Sequence, residues 1–178
     1  MGKEDKVSDE LVEFIKSYEK HQGDHLTGYY ATDAEKEDGI VTVGYGSTRR
    51  VKYGEKITEE QAEEWLREDL AKSERDVRRL VTVPLEQNEF DSLVSLVYNN
   101  GPGKFAKSRA LKALNNKRDL KTFDYETYDR DNGFTKQTNP KTKKKEVKTG
   151  LYNRRRDERE MFFFGKYDTA YRDGRKRT

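Results

Sequence analysis

A long amphipathic period between Thr58 and Leu80 limits what this chain can become. Thr58-Glu59-Glu60-Gln61 is a capping box, in which the Thr58 hydroxyl takes the Gln61 N–H and the Gln61 side chain reaches back. Ala62, Trp65, Leu66, Leu70, Ser73, Val77 and Leu80 then keep a helical period over about 20 residues. At ~1.5 Å per residue, a helix of that length is long enough to join two lobes. The sequence on its two sides differs in kind.

Upstream, Leu26–Ala31 and Ile40–Tyr45 are rich in Thr, Tyr, Val and Ile, and Asp38-Gly39 is a turn signal. They predict a hairpin with a long acidic connection, and a third short strand is expected near Arg50–Tyr53. Alternation puts Val41, Val43 and Tyr45 on one face and Ile40, Thr42 and Gly44 on the other, with Thr42 pointing into open space. Before the hairpin, Leu11, Phe14, Ile15 and Tyr18 form one helical stripe capped by Ser8, and Glu19 borders that stripe near the helix end.

Downstream the pattern is helical. Phe90, Leu93, Val94 and Val97 mark a helix that stops at Asn99–Gly103, Ser108 caps a short helix carrying Leu111 and Leu114, and a last helix runs from about Leu151 to Phe164. Arg155 and Glu158 share the buried face of that last helix and must pair with each other to be tolerated there. Residues 130–149 read as a polar, lysine-rich loop around Pro140, and the final RDGRKRT as a mobile tail.

Composition narrows the function. With 40% charged and 31% hydrophobic residues the chain leans towards disorder, but 8 Phe, 11 Tyr and 1 Trp supply core material. The absence of cysteine excludes disulfides and thiol chemistry, and two histidines, His21 and His25, do not make a structural zinc site. Both are expected at the surface or at a cleft rim. No apolar run reaches the ~20 residues of a membrane helix, and the first residues have no export-signal pattern, so synthesis in a cytoplasm is expected. The net charge of +3 is uneven. From Lys136 onward, 15 Lys/Arg face 6 Asp/Glu, a surplus of +9 that suits an anionic partner such as envelope polymers. No interleaving of aromatic and basic residues marks a nucleic-acid fold, so nucleic acid is not the expected partner.

Four ordered segments together resemble the phage lysozymes (endolysins) of glycoside hydrolase family 24. They are FIKSYE followed by LTGYY; GIVTVGYGST; ITEEQAEEWLREDL with QNEFDSLVSLVYNNGPGKF and SRALKALN; and TGLYNRRRDEREMFFFG. The resemblance implies an α+β, mostly helical fold over the single domain 1–178. A small β-lobe at about 20–57 and a larger helical lobe (8–19 and 58–165) would flank a cleft, with 166–178 as a basic tail. It implies hydrolysis of the β-1,4 bond between N-acetylmuramic acid and N-acetylglucosamine in peptidoglycan, without metal or organic cofactor. The protein would be a monomer made in the host cytoplasm, acting on the wall with a holin or similar permeabilising partner, or carried in the virion.

By that resemblance Glu19 is the general acid and Thr42 the strand threonine, while Gly44, Tyr45 and Ser47 contact the glycan. The family aspartate has no residue at its spacing after Tyr29 or Tyr30. Asp33 is the nearest carboxylate, with Asp38 as the alternative and Glu35 and Glu37 in the same loop. Two other readings stay open: a lytic transglycosylase using Glu19 alone, and a non-catalytic wall-binding or virion module.

Overall fold

The computed structural model describes residues 6–20, 23–131 and 133–176. His21 lies outside them. The chain divides into two compact units, residues 15–72 and residues 1–14 with 73–178.

In the smaller unit, α1 (Asp9–Glu19) contributes its C-terminal half and α3 (Glu59–Leu80) its N-terminal half. The α3 capping box forms in both directions, Gln61 N–H to Thr58 Oγ1 at 3.2 Å and Thr58 N–H to Gln61 Oε1 at 3.1 Å. Between the helices the backbone is more compact than the predicted hairpin. Leu26–Ala31 is flanked on both sides. Tyr29 and Thr42 exchange N–H···O bonds of 2.9 and 2.8 Å. On the other edge Gly28 N–H donates to Glu55 O and Ile57 N–H to Leu26 O, each at 2.9 Å.

The regular hairpin is β1 (Thr42–Val43) with β2 (Ser47–Thr48), registered Thr42 to Thr48 and Val43 to Ser47. The strand expected at Arg50–Tyr53 is instead bends and turns, and the outer edge is formed by residues 54–57. Gly44 and Gly46 turn the hairpin at φ 65° and 94°, which β-carbons disfavour. The acidic connection also folds, into the short helix α2 (Asp33–Glu37).

Gly28 marks the tightest point. A β-carbon there would lie 2.6 Å from Lys52 O and 2.8 Å from Val41 Cγ1, and a backbone carbonyl tied into a turn by Glu55 N–H cannot retreat cheaply. Gly28→Ala is expected to destabilise the protein by ~1–3 kcal/mol in urea unfolding. Gly103→Ala, where nothing lies within 4 Å of the new β-carbon, should show no loss.

The larger unit is helical: α4 (Gln87–Asn100), α5 (Pro102–Ala106), α6 (Arg109–Asn115), α7 (Leu120–Tyr128) and α8 (Thr149–Phe164), with the ends of α1 and α3. Ser8 caps α1 through Leu11 N–H, and Ser108 caps α6 through Leu111 N–H. Phe90, Leu93, Leu96, Phe105, Leu114, Phe123, Met161 and Phe162 build its core. Asn88 stitches α4 to α8, donating to Met161 O and Phe162 O at 3.1 and 2.8 Å.

Two expectations for this unit fail. The lysine-rich segment is not a plain loop: Gly133–Thr135 makes a 3₁₀ turn, followed by the hairpin β3 (Lys136–Thr138) and β4 (Lys145–Val147). Nor is the tail loose through Lys176. Asp157, fully buried, accepts from Tyr171 N–H at 2.9 Å and Arg172 N–H at 3.1 Å, Tyr167 donates to Asp91, and Lys176 reaches Glu160. The buried carboxylate of Asp157 needs these donors, and the tail supplies them.

Candidate active site

Glu19 is the last residue of α1 and is partly buried. The Tyr29 phenol lies within electrostatic reach of it. Burial pushes the Tyr29 pKa above its ordinary value, and the charges of Glu35 and then Glu19 push it further. Tyr29 is also the backbone partner of Thr42. Two carboxylates, a phenol and a threonine therefore belong to one neighbourhood within the smaller unit.

The carboxylate facing Thr42 belongs to Glu35. Thr42 Oγ1 donates to Glu35 Oε2 at 3.2 Å, and Ala31 N–H donates to the same oxygen at 2.8 Å. Thr42 is 5% exposed, so it does not point into open space. The acidic loop covers that face. Asp33 opens α2 as an exposed residue, and its side chain makes no hydrogen bond or ion pair among the described residues. Asp38 is the exposed C-cap of the same helix.

Local helix chemistry explains the choice. Thr32-Asp33-Ala34-Glu35 has the spacing of a capping box. Thr32 Oγ1 accepts Glu35 N–H at 3.1 Å, and the Glu35 side chain turns back towards the preceding backbone, where it meets Ala31 N–H and Thr42. An N3 side chain folds back this way, while the first helical residue, here Asp33, projects outward. Glu35 O also accepts Ile40 N–H at 2.8 Å, which ties the end of the loop to the strand.

The three expected glycan contacts are otherwise engaged. Tyr45 is 4% exposed and its hydroxyl donates to Glu59. Ser47 is 2% exposed and donates to Asp69 Oδ2 at 3.0 Å. Gly44 presses on α3, where a β-carbon would come 3.1 Å from Ala62 Cβ. All three pack the hairpin against α3. His25 joins them, since it is buried, with Nε2 3.0 Å from Glu59 Oε2 and its ring against Tyr45. The hydrogen bond from Tyr45, followed by that from His25, holds the Glu59 carboxyl below its ordinary value. Among the described residues, no group of three His, Asp or Glu side chains is placed to hold a metal ion.

The Phage lysozyme family pattern matches residues 24–158, more than half of the chain, and the chain belongs to that family. It is 39% identical over 109 residues to an endolysin of Acyrthosiphon pisum secondary endosymbiont phage 1, covering 61% of this chain and 69% of that one. It is 32% identical over 176 residues to an endolysin of Bacillus phage B103, covering 96% and 59%. Among solved structures, an endolysin from Escherichia coli O157:H7 phage FAHEc1 superposes with a TM-score of 0.77 at 32% identity, covering 94% of this chain and 99% of that one. The muramidase domain of SpmX from Asticaccaulis excentricus gives 0.73 at 31% identity, covering 89% and 97%.

Proposed function

We propose that this chain is an endolysin of glycoside hydrolase family 24 that hydrolyses the β-1,4 bond between N-acetylmuramic acid and N-acetylglucosamine in peptidoglycan. The observation that carries the mechanism is the hydrogen bond from Thr42 to the Glu35 carboxylate, in the neighbourhood that Tyr29 shares with Glu19. Glu19 gives its proton to the leaving glycosidic oxygen. Thr42 donates its hydroxyl proton to Glu35 and so orients that carboxylate, and Glu35 takes the proton that the attacking water loses. Bond cleavage and water addition then balance without a cofactor.

Synthesis in the host cytoplasm, action as a monomer and passage to the wall with a holin-type partner complete this reading. No helix among the described residues is long and apolar enough to cross a membrane.

The roles separate by substitution. On purified sacculi, Glu35→Gln should lower the rate of muropeptide release by ~10²–10⁴, the usual range for a removed general base. Asp33→Ala should stay within about twofold, as expected for a side chain outside the reacting group. Circular dichroism of both variants checks whether they are folded. If Asp33→Ala lost activity and Glu35→Gln kept it, Asp33 would be the base instead.

A further inference from the structure

The basic surplus of the C-terminal quarter is not spread evenly over the surface. Among the described tail residues the cations are paired: Lys166 and Lys176 with Glu160, and Arg172 and Arg175 with Asp173. The β3–β4 hairpin is different. Lys141, Lys143, Lys144 and Lys145 are all exposed at its tip, and none makes an ion pair among the described residues.

The tip is nevertheless ordered, and its own acid is used for that purpose. Asn139 Oδ1 accepts from Lys141 N–H at 2.9 Å, and Asn139 N–H donates to Lys144 O at 2.8 Å. Asn139 Nδ2 donates to both Glu146 oxygens at 3.0 Å, and Thr142 adds a bond of 3.3 Å to the same carboxylate. Glu146, half-exposed, is thereby bound to the turn and lies 3.7 Å from Lys148. Lys143 takes a left-handed φ of 58°, which closes the turn and leaves the four ammonium groups outside it. A fixed turn that holds its one carboxylate in hydrogen bonds and displays four lysines is a surface for a chain of repeated negative charges.

The residues between Thr135 and Gly150 include no aromatic side chain. Single-stranded nucleic acid is held by stacking on aromatic rings as well as by charge, so this tip suits a phosphate polymer without bases. Resting on the endolysin reading, we propose that the β3–β4 hairpin docks the poly(polyol phosphate) chains of teichoic-acid type that decorate the bacterial wall. Such docking holds the enzyme against its substrate between cleavage events.

The test compares the whole protein with a variant carrying Lys141→Gln, Lys143→Gln, Lys144→Gln and Lys145→Gln. Binding to purified poly(glycerol phosphate) is followed by titration at several salt concentrations. Four phosphates neutralised on a single chain release counterions with a slope of about 0.7 each, so wild-type affinity should fall about 50-fold between 50 and 200 mM salt. The variant should lose most of that affinity and that slope. On sacculi stripped of phosphate polymers, the two proteins should act at the same rate. Equal binding by wild type and variant overturns the proposal, as does tighter wild-type binding to single-stranded DNA at equal phosphate concentration. Loss of wall cleavage with polymer binding retained would count against the endolysin reading and not against the docking surface.

Discussion

Glu19→Gln is expected to reduce muropeptide release by ~10²–10⁴ or more while leaving the unfolding midpoint in urea unchanged. The reasoning combines position with chemistry. Glu19 closes α1, so its backbone is held by the helix and its side chain starts from a fixed point. Glutamine has the same length and keeps one acceptor oxygen, but its amide has no acidic proton to give to a leaving oxygen. The loss should fall on kcat more than on KM, because the proton moves only in the transition state. A folded Glu19→Gln protein with full activity would remove Glu19 from the mechanism.

The second large effect concerns the fold. Glu158 is fully buried and serves two buried arginines: Arg155 at 2.6 Å and Arg154 at 3.3 Å. Ser95 donates to it at 2.6 Å, and the Glu158 carbonyl takes Ser92 Oγ at 2.8 Å, so α4 and α8 are joined through this residue. Burial pushes the Arg155 guanidinium below its ordinary value, and Glu158 opposes that shift. Glu158→Ala leaves the fully buried Arg155 guanidinium without the carboxylate that pairs with it. Breaking a buried pair from one side costs ~3–5 kcal/mol. That is a large share of the ~5–15 kcal/mol that holds a domain together. The variant should show a greatly lowered urea midpoint or accumulate unfolded. An unchanged midpoint would mean that the pair contributes nothing to stability. Arg159→Ala, whose partner Asp124 is partly solvated, should cost much less.

Some of this architecture could be read directly from residues. The Ser8, Thr58 and Ser108 caps and the stripe through Leu66, Leu70, Ser73 and Val77 are local signals, and the structure forms them where the spacing predicts. The Arg155–Glu158 pair followed from periodicity and the cost of burying charge. Helix α7 was not legible, because its buried face consists only of Phe123, Thr127 and Tyr128 within a polar run. The β3–β4 hairpin has no apolar alternation at all, so its pairing leaves no trace in hydrophobicity.

The candidate site was legible in part. The places of Glu19 at a helix end and Thr42 in a strand could be read from sequence, but the carboxylate that bonds Thr42 could not, because proximity along the chain favoured Asp33. The signal that would have identified it was the capping-box spacing of Thr32 and Glu35, which sets the directions of both side chains. Gly44, Tyr45 and Ser47 were assigned to the glycan by resemblance, although alternation already grouped Tyr45 with the inward Val41 and Val43. A hairpin of two-residue strands turns at once onto α3, and both of its faces are covered.

The most direct measurement is mass spectrometry of the products released from purified sacculi by the wild-type protein, with Glu19→Gln as the control. Hydrolysis by Glu19 with water held at Thr42 and Glu35 predicts fragments ending in reducing N-acetylmuramic acid, absent from the control. Fragments ending in 1,6-anhydro-N-acetylmuramic acid, or no fragments from the wild type, would contradict it.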